Sequence, residues 1–463
     1  MPVLAEQIEL LEHVSPLEFR GAVTEVRGLA LHVADLSAPI GAMVRVLTRR
    51  GEGPALRGEV VAFQNHHTVV MPLGPLAGVR QGDTVIAEQM GQIVRVGDAM
   101  LGRVLNALGQ PIDDGPPIRD TVVRPLHPRP IDPLQRALID EPLATGVRAV
   151  DALASFGRGQ RVGLFAGPGV GKSTLMAMMA RHTAADVTVL ALVGERGREV
   201  RDFLDNQLGP EGLARSVVVC ATSDEPALLR LRAAAVASTI AEHFRDQGLD
   251  VLLMMDSVTR WCHAQREVGL AAGEPPATRG YPPSVFSTLP ALLERAGRTV
   301  KGSITGIYSV LVEGDDMTGP VADAVKGILD GHITLSRDLA QRGHYPAIDV
   351  LQSVSRVVDD VTAADHQAAR KLVVRLLAAY KQVEDLLNIG AYAFGSNADF
   401  DLSIQCRNDI DHLLQQGRHE TKGAADFGKT KAQLLVLQRK IEEVRKQLSK
   451  QPKAVPQGPT ARR

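Results

Sequence analysis

Residues 166–174 read Ala-Gly-Pro-Gly-Val-Gly-Lys-Ser-Thr. Three glycines followed by a lysine and two hydroxyl residues have the chemistry of a loop that wraps phosphate. Gly167, Gly169 and Gly171 let backbone N–H groups turn inward onto phosphate oxygens. Lys172 brings a cation to the β- and γ-phosphates, and Ser173 a hydroxyl that can ligate Mg²⁺. Pro168, Val170 and Thr174 complete the candidate nucleotide loop. The usual pattern begins with glycine where Ala166 stands; a methyl group fails there only if φ must be positive. Downstream, Val251-Leu-Leu-Met-Met-Asp256 is an apolar run ending in a carboxylate. Asp256 is the candidate to hold Mg²⁺ through water.

A phosphate pocket can bind, transfer or hydrolyse. Hydrolysis needs a positioned water, and Glu195, in Leu192-Val-Gly-Glu-Arg-Gly-Arg-Glu199, stands where a strand should end beside the phosphates. Arg196 and Arg198 are candidates to stabilise γ-phosphate charge. On spacing alone, a surface Glu–Arg salt-bridge cluster is an equal reading. Arg356, in Gln352-Ser-Val-Ser-Arg356, could face developing phosphate charge, and a structural salt bridge is again an equal reading.

These groups need a scaffold. Residues 160–165 read as a strand and 173–181 as a helix, the strand–loop–helix context that a phosphate loop requires. Residues 187–193, 216–220, 251–255 and 303–311 are short, fully apolar runs, as buried parallel strands should be. Residues 226–245 form a long Ala/Leu-rich helix. Together they predict a doubly wound α/β core with a parallel sheet over residues 96–362. Before it, after an arm at 1–18, short apolar runs at 22–26, 29–33, 43–47, 58–63, 68–71 and 83–87 predict a small β-barrel over 19–95. Proline density marks 111–133 as a surface connector. Past residue 363 the strands stop; 368–388 and 409–416 read as helices of a C-terminal helical domain ending at 430. In the tail, 431–463, Leu434, Leu437, Ile441, Val444 and Leu448 form one helical stripe. From Arg439 onward it carries eight Lys/Arg against two Glu. It reads as a solvated helix and disordered linker, with a coiled-coil or partner-binding segment as the alternative.

Composition narrows the function classes. Of 463 residues, 44% are apolar and 23% charged, enough to bury a core. A net charge of −1 gives no global field toward nucleic acid. Three cysteines without a CxxC pair argue against a disulfide scaffold or zinc cluster. No run of 18 apolar residues would span a membrane, and the first residues lack the pattern of a signal peptide. His66 and His67, beside Asn65, would point to opposite faces of a strand and so not easily share one ion; they read as barrel surface and turn rather than a metal site.

Longer strings carry a resemblance. They include Phe165-Ala-Gly-Pro-Gly-Val-Gly-Lys-Ser173, Gly194-Glu-Arg-Gly-Arg-Glu-Val200, residues 269–286, Leu292-Leu-Glu-Arg-Ala-Gly297, Asp315-Asp-Met317, Ile328-Leu-Asp-Gly-His332 and His344-Tyr-Pro-Ala-Ile-Asp349. Over residues 20–420 the chain resembles the rotary ATP synthase catalytic subunit and its secretion relatives. Within that superfamily it looks like the type III export ATPases of the bacterial flagellum. An Ala-Gly start to the phosphate loop is usual in the secretion members. The string Pro275-Pro-Ala-Thr-Arg-Gly-Tyr281 favours the flagellar branch over the virulence injectisome branch. The resemblance implies a P-loop, RecA-like core between barrel and helical domain, and ATP and Mg²⁺ as cofactors. It implies Glu195 as general base, with Arg196 and Arg260 near the γ-phosphate. It further implies Arg356 as an arginine finger in the neighbouring subunit's site, and Tyr345 stacked on adenine. A second adenine wall is expected at 391–394, with Phe394.

The implied assembly is a homo-oligomer, a hexameric ring, in the cytoplasm and peripheral to the inner membrane at the flagellar base. The implied partners are a stator-like regulator on the N-terminal arm, a central stalk protein, export chaperones and substrates, and the membrane export gate. No nucleic-acid partner is expected. The acidic lever motif of the synthase subunit is missing, which weighs against ATP synthesis, and the basic tail matches no part of the family pattern. Three other readings compete. An injectisome secretion ATPase is the nearest. A non-catalytic nucleotide-binding ring subunit would carry Gln at the place of Glu195. A ring-shaped RNA translocase would need exposed aromatics on its barrel, and Phe63 is the only Phe, Tyr or Trp between residues 20 and 94.

Overall fold

A computed structural model of the chain describes residues 18–48, 55–312, 314, 317–418, 420 and 426–450; the arm before residue 18 and the tail beyond 450 lie outside them. Six strands, β1 (Arg20–Arg27), β2 (Ala30–Ala34), β3 (Met43–Leu47), β4 (Leu56–Gln64), β5 (His67–Pro72) and β6 (Thr84–Gln89), close a barrel in the order β1-β2-β5-β4-β3-β6. The six apolar runs of the sequence become these strands. Alternation turns Val23, Leu31, Val33, Val44, Val46, Val60, Val70 and Val85 into its core. Ile93–Val96 leaves the barrel and pairs with Val122–Pro125, so the barrel ends at β6 and not at residue 95.

The main path of the central sheet runs through β7 (Val104–Asn106), β8 (Arg161–Ala166), β9 (Val187–Glu195), β10 (Ser216–Thr222), β11 (Asp250–Asp256), β12 (Ser303–Leu311), β13 (Gly331–Thr334) and β14 (Val354–Ser355), with Gly297–Arg298 paired antiparallel to β12 off that path. Its order is β14-β13-β8-β12-β11-β9-β10-β7. Every pair along it is parallel except β13 with β14. Both faces are covered, so the strands need apolar residues throughout. Leu190 and Leu192 join one core, while Val189, Ala191 and Val193 join the other. β7, β13 and β14 were not legible as strands, because two to four residues are too short to show a period.

The helices that matter below are α1 (Arg148–Leu153), α2 (Lys172–His182), α3 (Ala227–Asp246), α4 (Val258–Ala271), α5 (Ala364–Asn388), α6 (Ala398–Leu414) and α7 (Phe427–Lys450). α6 begins eleven residues before the expected start at 409. Asn397 caps it, its side chain accepting from the N–H groups of Asp399 and Phe400. Residue 431 falls inside α7, so the helical domain runs on to Lys450. The stripe foreseen from residue 431 packs inward on its own chain. Leu434, Leu437 and Ile441 are buried with residues of α1, α5 and α6, and Val444 and Leu448 lie against the same core. This is neither a solvated helix nor an open coiled-coil seam. We expect Leu434→Ala to lower the unfolding free energy by about 2–5 kcal/mol; urea denaturation reads this, and an unchanged midpoint would show that α7 docks without cost or gain.

Candidate active site

Parallel strands all end on one edge of a sheet, and that edge is where the chemistry collects. Ala166 is the last residue of β8, with no positive φ, so its methyl group costs nothing there. Gly169 and Gly171 have φ of 77° and 96°, a region that side chains disfavour, which explains glycine at those two points. The loop enters α2 at Lys172, and the helix N-terminus adds its positive dipole end to the phosphate cradle. Gly167 and Pro168 lie in the loop's approach, Val170 is buried beneath it, and Ser173 and Thr174 occupy the helix's first turn.

Glu195 closes β9 and Asp256 closes β11, two adjacent strands. Gly194, at φ 70°, sits in a register shift between β9 and β10. Such a bulge re-aims the following side chain, here Glu195, which is 8% exposed. A Cβ on Gly194 would stand 3.0 Å from Arg260 Cδ. Arg260 of α4 donates from Nη1 to the Gly194 carbonyl at 2.7 Å, and its Nε and Nη2 lie 3.1 and 3.2 Å from the two oxygens of Glu195. Lys172 Nζ pairs with Asp256 and stands 3.9 Å from Glu195 Oε1. Ser309 of β12 donates to Asp256 Oδ1 at 2.6 Å. Burial and the negative charge of Asp256 raise the pKa of Glu195, against the pull of Lys172 and Arg260. A cavity of about 390 Å³ opens here, lined among others by Ser173, Glu195, Arg198 and Asp256. The Ser173 hydroxyl and the Asp256 carboxylate are hard oxygen ligands of the kind that suit Mg²⁺.

The structure therefore brings together Lys172, Ser173, Glu195, Asp256 and Arg260. It leaves Arg196 out: that side chain is 75% exposed and pairs with Glu199 at 3.2 Å. The β9 bulge that turns Glu195 inward leaves the next residue facing solvent. Tyr345 lies over the loop, its Cε1 3.8 Å from where a Cβ on Gly171 would stand, and its ring is half exposed. An open aromatic face beside the phosphate loop suits a base.

Phe394 is not beside it. Phe394 precedes α6, packs edge-on to Tyr392 at 5.5 Å, and is 56% exposed. The far end of α6 is what reaches Tyr345, and 17 helical residues span roughly 25 Å. The segment beside Tyr345 is 415–418. Gln416 N donates to the Tyr345 carbonyl at 2.9 Å, and the Gln415 amide lies 3.4 Å from His344 Nδ1. The buried Gln416 amide is tied at both ends, accepting from Arg148 N at 2.8 Å and donating to the Gly146 carbonyl at 2.9 Å. Nothing in a polar Gln-Gln pair after a helix announces this role. Ser309 had a signal, a hydroxyl inside an apolar strand. We expect Gln416→Ala to raise the KM for ATP by at least about fivefold, two hydrogen bonds of about 0.5–1.5 kcal/mol each being lost, with kcat little changed. An unaltered KM would free this segment from the nucleotide site.

Arg356 lies at the other end of the sheet. It follows β14, and its N–H donates to the Asp330 carbonyl at 2.9 Å; Asp330 N–H donates to the Arg161 carbonyl, also at 2.9 Å. Arg161 opens β8 and Ala166 closes it, roughly 17 Å further along. The Arg356 side chain is exposed and forms no ion pair among the described residues, so the structural salt bridge is not what it makes.

Comparison with known proteins agrees with this geometry. The nucleotide-binding domain of the ATP synthase alpha/beta family matches residues 146–355, and the C-terminal domain of the type III secretion ATPase EscN matches 362–435. A flagellum-specific ATP synthase of Treponema pallidum is 52% identical over 414 residues, 89% of this chain and 92% of the relative. The chain belongs to the flagellar and type III secretion ATPases of the ATP synthase alpha/beta family. Another member, a type 3 secretion system ATPase of Xanthomonas euvesicatoria, is 50% identical over 86% of this chain and 89% of its own length. The assembled ATPase EscN of enteropathogenic E. coli superposes with a TM-score of 0.84 at 43% identity, covering 90% of this chain and 100% of the solved EscN chain. EscN has also been solved with its central stalk EscO, at a TM-score of 0.83. As an export ATPase of this family the chain is an ATP-hydrolysing enzyme with the barrel, parallel-sheet and helical architecture read from its sequence.

Proposed function

We propose that this chain is a Mg²⁺-dependent ATP hydrolase that drives type III protein export at the base of a flagellum. One observation carries the mechanism: the base Glu195 and the arginine Arg356 stand at opposite edges of one sheet. The loop N–H groups and Lys172 hold the phosphates. Ser173 and Asp256 would hold Mg²⁺, which neutralises charge on the β- and γ-phosphates. Glu195, fixed by Arg260, orients the attacking water and takes its proton. Arg356 reaches the γ-phosphate of the next subunit, so each complete site needs two copies of the chain, as a closed ring provides. A ring of six, a stalk in its pore as in the EscN–EscO complex, a regulator on the N-terminal arm, and chaperone-bound substrates at an export gate are the partners this reading takes. Among the described residues no helix is long and apolar enough to cross a membrane, which suits a peripheral position on the cytoplasmic side of the inner membrane.

Activity per subunit against protein concentration tests the ring. Specific activity should rise steeply as subunits assemble. A flat profile down to monomer concentrations would sink the shared site. Motility restored to a strain lacking its flagellar export ATPase would support the flagellar assignment, and restoration of injectisome secretion alone would overturn it.

A further inference from the structure

Ser309 is a fully buried hydroxyl in an apolar stretch of β12. Tyr308 and Val310 on either side of it join one core, and Ile307 joins the other. A residue needed there only for packing would be apolar like its neighbours, because a buried hydroxyl is costly unless it is hydrogen-bonded. This one donates to Asp256 Oδ1 at 2.6 Å. The sheet puts the two side chains together. β12 lies between β8, which runs into the phosphate loop, and β11, which ends in Asp256. Ser309 is level with Leu164 of β8 and one residue beyond the pair Met255–Tyr308. Further along, the Leu311 N–H donates to Thr259 Oγ1 at 2.9 Å, which ties β12 to the first turn of α4, just after Asp256.

Asp256 Oδ1 has a second partner, the Lys172 ammonium. That lysine stands on the phosphate loop's helix and has the phosphates to hold, which draws its charge away from the carboxylate. Ser309 belongs to the sheet and stays. Resting on the Mg²⁺-dependent reading above, we propose that Ser309 is a positioning residue for the Mg²⁺ site. It fixes Asp256 Oδ1 from behind and leaves the other carboxylate oxygen to the ion's water, at the cavity that Asp256 lines. Partners that orient metal-site ligands in this way are worth about 10–100-fold in metal affinity.

Binding of a fluorescent ADP to the full chain, titrated with Mg²⁺ from an EDTA baseline, tests the assignment without turnover. Ser309→Ala should raise the Mg²⁺ concentration for half-saturation by about 10–100-fold and leave the affinity in EDTA unchanged, since the loop N–H groups and Lys172 remain. Ser309→Thr restores a hydroxyl and should stay within about threefold of the parent. Should Ser309→Ala not fold, Ser309→Cys, close in shape but a weak donor, should raise the half-saturation in the same direction. A parental half-saturation in Ser309→Ala, or an equal loss of affinity in EDTA, would overturn the role of Ser309 alone. A parent whose nucleotide binding ignores Mg²⁺ would overturn the Mg²⁺-dependent reading and Ser309's role with it.

Discussion

Glu195→Gln should reduce steady-state ATP turnover by about 10²–10⁴-fold, the usual contribution of a positioned general base, while ATP affinity stays within a few-fold of the parent. The two halves of this expectation have separate causes. On the proposed reading affinity comes from the loop N–H groups, Lys172 and the base wall at Tyr345, none of which needs the Glu195 charge. Turnover needs a carboxylate that can take a proton, and glutamine keeps the shape without that capacity. The inward aim of Glu195 is built by the Gly194 bulge and held by Arg260, so the substitution removes the charge and leaves the frame. The pH profile gives a second reading. Burial and Asp256 raise the pKa of Glu195, and the base acts only when ionised. Rate is therefore lost as pH falls through that raised value, and the acid limb of kcat/KM should lie above the ordinary glutamate range. Kinetics with a fluorescent ATP-binding assay alongside decide it. A variant with parental kcat would mean that another group activates the water.

Arg356→Ala should be as severe, about 10³–10⁵-fold in kcat if it acts as an arginine finger, and its rescue is more informative than its loss. Arg356 lies at the amino edge of the sheet, level with Arg161, while its own phosphate loop leaves the carboxyl edge. A side chain cannot cover that distance, so the arginine serves a neighbour or nobody. Mixing Arg356→Ala with Glu195→Gln subunits then has a definite outcome. Where an Arg356→Ala subunit supplies the base and an Glu195→Gln subunit supplies the finger, the interface is intact, and random assembly from equal amounts makes about one quarter of interfaces so. Two near-dead proteins should together recover a comparable fraction of parental activity. No recovery from rings shown to contain both chains would mean that the two residues do not share a site.

Much of this was written in the local sequence, for physical reasons that can be named. The phosphate loop is legible because its glycines, lysine and hydroxyl act through consecutive backbone positions, so spacing alone states the geometry. The parallel strands are legible because burial on both faces demands unbroken apolar runs, and the barrel strands because short apolar stretches between Gly, Pro and Asn leave little else to form. The stripe from Leu434 to Leu448 declared a helix by its period, but not what it lies against. Contacts between distant segments were decided only by the tertiary structure. Arg196 and Arg260 looked alike as candidates; a bulge and a crossing helix put Arg260 on Glu195 and left Arg196 in solvent. Phe394 and Gln416 lie at opposite ends of one helix, and only its docking chose the glutamine end for Tyr345. Sequence proposed Arg356 as a finger by resemblance, and the antiparallel pairing of two short strands placed it at the sheet edge away from its own phosphate loop. Order along the chain fixes what a residue can do chemically, while the sheet edge on which it emerges fixes what it does it to.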